Sequence, residues 1–282
     1  MSKTINEFTK ENDLLICVDS DGCAMDTMNV KHYEFFGPIA AEVFGIQNKE
    51  AFQEDWNHVN LFSTTRGVNR FTALVICLQN AQAAGEELID ITALAEWADT
   101  TDSLSNGALE AYIEAGNDDD SLQKALDWSY RVNKGIHEEL TGRDKPFPGA
   151  KEGLAQAQET GDVAIVSSAN GEALDSEWNR HGLMTYVDVV CGQEVGPKQV
   201  AIAKLLEAGY DKDNVLMVGD APGDLKAAQN NGVHYYPIMP DDEKASWERF
   251  KNEALAKFQA GEYGGDYEDG LIQAYNDLLA NF

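Results

Sequence analysis

The sequence has 282 residues, with 21 Lys and Arg against 49 Asp and Glu, and its formal net charge is −28. Such an acid excess argues against nucleic acid or an anionic membrane as partner, because phosphate groups are bound by clustered basic side chains. Hydrophobic residues make up 43% of the chain, enough apolar content to favour a folded core over disorder. The length suggests one large domain or two smaller ones.

Three further features predict a cytoplasmic protein. No run of about 18 apolar residues occurs, so we expect no membrane span. Residues 1–13 mix charged and apolar side chains, which does not match a signal peptide. The cysteines form no CxxC pair and no zinc-type spacing, so we expect reduced thiols rather than disulfides or structural zinc. They are Cys17, Cys23, Cys77 and Cys191.

The first predicted element is a buried strand at residues 14–18, an apolar run that ends in the polar turn Asp19-Ser20-Asp21-Gly22. The stretch that follows, to about Lys145, has helical stripes of apolar residues and no convincing strand. Within it, Gly37-Pro38 predicts a break in a helix. We therefore expect an all-helical insertion after the first strand.

From residue 146 onward, apolar runs alternate with helical patterns. Strands are predicted at 163–166, 187–191, 215–218 and 233–238, and helices at 171–182, 198–208 and 224–231. This alternation is typical of a doubly wound parallel sheet with helices on both faces. Ligands of such sheets bind at the carboxyl ends of the strands. Two further helices are expected in the tail, at 242–258 and 266–280.

Chemically active side chains follow these strands in a fixed order. Asp19 and Asp21 follow the first strand, and Ser167 and Ser168 follow the second. Lys198 opens a helix, and Asp220 and Asp224 lie in Gly219-Asp220-Ala221-Pro222-Gly223-Asp224. Taken singly, these residues are also explained as turns, helix caps or surface side chains. Together and in this order, they favour a catalytic site.

In order and spacing, these motifs resemble those of the haloacid dehalogenase (HAD) superfamily of phosphotransferases. That family has DxD after the first strand, a Ser or Thr after the next, a Lys, and a final acidic pair. The resemblance implies a HAD-like, Rossmann-like α/β core at 1–24 and 146–238, with an all-helical cap domain of the C1 type inserted at 25–145. Residues 239–282 are then a helical extension packed on the core.

Phosphoryl transfer requires a nucleophile, charge neutralisation and a proton for the leaving oxygen. We assign the role of nucleophile to Asp19 and charge neutralisation to Lys198 with Ser167. Asp21 is expected to give the proton to the leaving oxygen. Carboxylate oxygens suit Mg²⁺. The expected Mg²⁺ site is formed by Asp19, Asp220, Asp224 and, by the resemblance, the main-chain carbonyl of Asp21.

The insertion contains a second resemblance. Gly67-Val68-Asn69-Arg70 is similar to the cap signature of the beta-phosphoglucomutase and phosphoglycolate phosphatase subgroup. We expect Arg70, the adjacent Arg66 and Ser168 to bind substrate; a solvated arginine pair is the alternative. Asp26-Thr27 is similar to the hinge of that subgroup, or is a helix N-cap. The His of the subgroup's mutases has no match, because Lys31 occupies that position and His32 lies one residue on.

The expected function is Mg²⁺-dependent hydrolysis of a small phosphorylated metabolite through an aspartyl-phosphate. A phosphomutase of the beta-phosphoglucomutase type is the nearest alternative, and a non-catalytic phospho-ligand-binding protein is another. Dehalogenation is disfavoured, because that chemistry requires neither Mg²⁺ nor an acid/base at Asp21. We expect no nucleic-acid or membrane partner and a monomer or homodimer.

Overall fold

The structure is a computed structural model that describes residues 3–282. The chain forms two compact units. The first contains the described residues up to Met28 together with Asp144–Asn281, and the second is formed by Asn29–Arg143 with Phe282. Each unit has a hydrophobic core of its own.

The first unit is built on a parallel sheet. Within residues 3–282 this sheet has six strands in the spatial order β1-β4-β3-β2-β5-β6. The strands are β1 Lys3–Thr4, β2 Leu15–Val18, β3 Asp162–Val166, β4 Val189–Cys191, β5 Val215–Gly219 and β6 His234–Pro237. The expected doubly wound α/β class is confirmed. The edge strand β1 was not predicted, because two residues are too few to show a periodic pattern.

The central strand β2 is apolar along its whole length because both faces of the sheet are covered. In β2, Ile16 and Val18 face one hydrophobic cluster, whereas Leu15 and Cys17 face another. All four are fully buried. Alternate residues of a strand point to opposite faces, so a continuous apolar run is required here.

The second unit is helical throughout its regular structure. Its helices, with α1 beginning at the last residue of the first unit, are α1 Met28–Lys31, α2 Gly37–Phe44, α3 Lys49–Leu61, α4 Arg70–Ala83, α5 Thr92–Thr100, α6 Asn106–Glu114 and α7 Asp120–Gly135. Their apolar faces meet around Trp56, Trp97 and Trp128, each at most 1% exposed.

The predicted helix break at Gly37-Pro38 is wrong. A wide π-helical turn, His32–Phe36, joins α1 to α2 without interruption. The Gly37 N–H donates to the carbonyl of His32, five residues back. Because Pro38 lacks an N–H, the carbonyl one helical turn before it loses its usual hydrogen-bond donor. The wider π-helical turn accommodates that loss.

Helices of the first unit cover the two faces of the sheet. They are α8 Ala150–Thr160, α9 Gly171–Arg180, α10 Lys198–Leu206, α11 Pro222–Asn231, α12 Glu243–Arg249, α13 Leu255–Gln259 and α14 Asp266–Asn281. Residues of α8, α9 and α12 join the cluster of Ile16, and residues of α10, α11 and α14 join the cluster of Leu15. Among the helices of the described chain, none is long and apolar enough for a bilayer span.

Candidate active site

The carboxyl ends of β2, β3 and β5 bring three chemically active side chains to one edge of the sheet. The register pairs Val18 with Ile165 on one side and with Val218 on the other. The ladder extends one step further, since the Asp19 N–H donates to the Val218 carbonyl at 3.0 Å. Asp19, Ser167 and Asp220 therefore follow adjacent strands.

Asp19 is held by two different donors. Its side chain Oδ1 accepts the N–H of Ser20 at 2.7 Å, and its Oδ2 lies 2.7 Å from Lys198 Nζ. Burial raises the pKa of this carboxyl to about 6, although Lys198 opposes the shift. The result is a fixed carboxylate at the end of a rigid strand.

Lys198 bridges two acidic side chains. Its ammonium also lies 2.5 Å from Oδ1 of Asp224, whose Oδ2 accepts the N–H of Ala221 at 3.1 Å. Burial alone would lower the pKa of Lys198, but the two carboxylates outweigh that effect and raise it. Lys198 therefore stays protonated, and Asp224 fixes its position.

Asp220 is fully buried beside a glycine that leaves room for it. Gly22 has φ +82°, and a Cβ placed there would lie 2.4 Å from Oδ2 of Asp220. Ligand oxygens of Asp19, Asp220 and Asp224 all lie within 4.8 Å of one another. Three carboxylates around one point are a donor set of the kind a hard divalent cation takes, and the close approach to Gly22 fixes one of them.

Substituting Gly22 by alanine tests this packing. We expect Gly22→Ala to lower the free energy of unfolding by about 2–5 kcal/mol, since backbone strain and a displaced carboxylate act together. We also expect Mg²⁺ affinity, measured by calorimetry, to fall at least about tenfold.

Gly45→Ala is the matched control. Gly45 also has a positive φ, +74°, but a Cβ there meets no atom within 4 Å. We expect Gly45→Ala to lower the free energy of unfolding only by the backbone strain of about 1–2 kcal/mol. Its Mg²⁺ affinity should be unchanged. Equal effects of the two variants on metal binding would contradict the packing argument.

Asp21 is oriented by a residue that was predicted only as a hinge or a helix N-cap. Thr27, which is fully buried and directly precedes α1, donates its hydroxyl to Oδ1 of Asp21. Asp21 itself is only partly buried. This hydrogen bond fixes the direction of the Asp21 side chain. The sequence signal was present in the spacing of six residues, but it did not indicate this contact.

The two serines after β3 differ in exposure. Ser167 is 4% exposed, and its main-chain N–H donates to the Cys191 carbonyl at 3.0 Å. Its Oγ accepts the Ala169 N–H at 3.3 Å. Ser168 is exposed. The Ser167 hydroxyl can still donate its proton, as a phosphoryl-binding role requires, and the roles of both serines stay predictions.

The two arginines of the helical unit are anchored in different ways. Arg66 is 3% exposed and donates to the Leu61 carbonyl at 2.8 Å. Arg70, the first residue of α4, donates to Oδ1 of Asn133 at 2.6 Å, and its guanidinium stacks 4.9 Å from the centroid of the Phe36 ring. Arg70 is thus held in a defined orientation, and substrate binding by either arginine stays a prediction.

Two other residues near the motifs, His32 and Cys23, have well-defined surroundings. His32 accepts a hydrogen bond from the Trp56 indole at 3.0 Å and stacks on Phe36 with ring centroids 4.8 Å apart. Cys23 is fully buried, and burial raises the pKa of its thiol well above the usual value. A buried, protonated thiol is poorly reactive.

Comparisons with known proteins show the family and the fold of this chain. A family model described as haloacid dehalogenase-like hydrolase matches residues 93–238, which is about half of the chain. A sequence search of curated proteins finds no match.

Solved structures show the same fold at low identity. A protein assigned as a phosphoglycolate phosphatase from Lactobacillus delbrueckii subsp. bulgaricus has a TM-score of 0.55 and 14% identity, over 90% of this chain and 100% of its own. Another, assigned likewise, from Haemophilus somnus has a TM-score of 0.52 and 14% identity, over 79% of this chain and 84% of its own. The family match and the shared fold lead to one conclusion: the chain belongs to the haloacid dehalogenase-like hydrolases.

Proposed function

We propose that this protein is a Mg²⁺-dependent phosphomonoester hydrolase that acts on a small phosphorylated metabolite through an aspartyl-phosphate intermediate. The observation that carries the proposal is the Asp19–Lys198 pair. Asp19 is a buried carboxylate, and the ammonium of Lys198 lies 2.7 Å from its Oδ2. Such a pair combines a nucleophile with the positive charge that a phosphoryl group requires.

The first half-reaction forms a bond between a carboxylate oxygen of Asp19 and phosphorus. The ester P–O bond breaks, and the leaving alkoxide takes a proton from Asp21. Thr27 holds the Asp21 side chain through its hydroxyl, which fixes the direction of proton delivery. The positive charge of Lys198 and the hydroxyl of Ser167 offset the charge on the phosphoryl oxygens.

The second half-reaction returns the enzyme to its starting state. Asp21, now ionised, takes a proton from water as the water oxygen attacks phosphorus. The bond between phosphorus and Asp19 breaks, inorganic phosphate leaves, and Asp21 is protonated again. The same side chain thus serves as acid and then as base.

The acidic cluster fits the metal that this chemistry uses. Mg²⁺ would be held by the carboxylates of Asp19 and Asp220 and the main-chain carbonyl of Asp21. When bound, it supplies positive charge to the phosphoryl oxygens. Asp224 contributes a third carboxylate to the cluster and also holds the ammonium of Lys198 through its Oδ1.

Relatives of the same fold support the proposed substrate class. The two similar structures are assigned as phosphoglycolate phosphatases, which favours a small phosphorylated metabolite. Arg70 is our candidate for binding its distal group, because a guanidinium pairs well with carboxylate or phosphate. Hydrolysis is preferred over mutase activity, since His32 is engaged with Trp56. A cytoplasmic location and a monomeric or homodimeric state stay predictions.

Hydrolysis of p-nitrophenyl phosphate tests the proposal. We expect release of p-nitrophenol with Mg²⁺ and none with EDTA, and restored release when Mg²⁺ is returned. A panel of small phosphate esters, with phosphoglycolate and hexose phosphates, then ranks substrates by kcat/KM. Absence of Mg²⁺-dependent release from every ester would overturn the proposed function.

A further inference from the structure

The segment after β6 reaches back to the main chain of the active-site loops. Trp247 of α12 donates its indole N–H to the Cys23 carbonyl at 3.0 Å. Tyr275 of α14 donates its hydroxyl to the Asp220 carbonyl at 2.8 Å. Both side chains are fully buried. Cys23 comes directly after the turn that contains Asp19 and Asp21, so Trp247 holds the end of that turn. Tyr275 holds Asp220 itself.

The hydrogen bond from Tyr275 holds one end of the peptide group between Asp220 and Ala221. The carbonyl of Asp220 and the N–H of Ala221 belong to the same planar unit. Tyr275 holds the carbonyl end, and Oδ2 of Asp224 accepts the N–H end at 3.1 Å. A peptide plane held at both ends resists rotation, so the direction in which the Cα–Cβ bond of Asp220 leaves the main chain is constrained.

The preceding carbonyl is held in a similar way. The Gly219 carbonyl accepts the hydroxyl of Tyr235 at 2.9 Å and the N–H of Ile238 at 2.8 Å. The rings of Tyr235 and Tyr275 pack edge to face, with centroids 6.0 Å apart. Two tyrosines, one from β6 and one from α14, therefore support the main chain on which Asp220 stands.

We propose that α14 is part of the active-site scaffold and that Tyr275 is a positioning residue, which sets the direction of Asp220 toward a bound Mg²⁺. This inference rests on the proposed function for its account of what Asp220 binds. A carboxylate that is held in the direction of its ligand loses less conformational freedom on binding than a mobile one. Supporting contacts of this kind commonly tune metal affinity.

The test is Mg²⁺ binding by Tyr275→Phe, measured by calorimetry on protein whose fold is checked by circular dichroism. Phenylalanine keeps the ring and removes only the donor. We expect the dissociation constant for Mg²⁺ to rise about three- to tenfold, the range given by one net hydrogen bond. Activity should fall at limiting Mg²⁺ and recover at saturating Mg²⁺, with KM for the phosphate ester unchanged.

Tyr263→Phe is the matched control. Tyr263 is likewise buried, and its hydroxyl donates to a main-chain carbonyl, that of Tyr235, at 2.8 Å. Its acceptor lies in β6 rather than in the Asp220 loop. We expect a similar loss of thermal stability but unchanged Mg²⁺ affinity. Tyr235→Phe, which removes the donor to Gly219, is a second variant expected to weaken Mg²⁺ binding.

The outcomes separate this inference from the proposed function. Weaker Mg²⁺ binding by Tyr275→Phe than by Tyr263→Phe supports it, whether or not the wild-type protein hydrolyses the esters tried. Equal Mg²⁺ affinities of these two variants overturn it, even when the wild type is an active phosphatase. Failure of the wild type to bind Mg²⁺ also overturns it.

Discussion

Asp19→Asn is expected to lower the turnover of p-nitrophenyl phosphate by at least about a thousandfold, because an amide cannot replace a carboxylate nucleophile. The substitution is nearly isosteric, and Ser20 can still donate its N–H to the remaining oxygen. Lys198 keeps its second partner, Asp224, at 2.5 Å. The fold should therefore persist, and the loss should appear in kcat, with smaller changes in KM.

Asp162→Asn is the control for a buried carboxylate in the same sheet. Asp162 is 2% exposed and lies at the amino end of β3, where it accepts hydrogen bonds from Glu11, Asn12 and Tyr210. Its substitution should reduce stability without a matching loss of kcat. If Asp162→Asn and Asp19→Asn lowered kcat alike, or if Asp19→Asn stayed active, nucleophilic catalysis by Asp19 would be refuted.

Asp19, Ser167 and Asp220 could be placed together from sequence because parallel strands share one carboxyl-terminal edge. Apolar runs located the strands, and the side chain after each run then lay at that edge. Local pattern plus the parallel rule was sufficient for these three residues. The role of Lys198 came instead from the resemblance to the family's motifs, because a lysine at the start of a helix is by itself also explained as a surface side chain.

Contacts between distant helices and loops could not be predicted from the sequence. The periodicity of 266–280 predicted α14, but not that Tyr275 reaches the Asp220 carbonyl 55 positions away. Thr27 and Asp21 are six residues apart, yet their hydrogen bond depends on the direction of the turn that Gly22 permits. Such contacts are set by tertiary packing, which a single sequence does not encode as a readable period.

Lys198→Met should lower kcat by about a hundred- to a thousandfold, comparable to the removal of one preorganised charge from an active site. Methionine keeps much of the apolar volume and removes the ammonium. Lys204→Met is the control on the same helix. Lys204 is exposed and donates to the Val195 carbonyl at 3.0 Å, so that variant should retain activity within about twofold.

Lys198→Met should also change how the free energy of unfolding of the metal-free protein depends on pH. Burial already raises the pKa of Asp19 to about 6, and Lys198 is the largest influence opposing that rise for Asp19 and for Asp224. A carboxyl group with a raised pKa in the folded state stabilises the fold at pH values below its unfolded pKa. That contribution is lost as the pH rises through the folded pKa.

Without Lys198, both carboxyls should titrate at higher pH, and two buried like charges would face each other above that range. With EDTA present, Lys198→Met should therefore lose at least about 2 kcal/mol more stability than Lys204→Met between pH 5 and pH 8. Denaturant unfolding at the two pH values measures this difference. Parallel pH profiles for the two variants would mean that Lys198 does not offset the buried charge of Asp19 and Asp224.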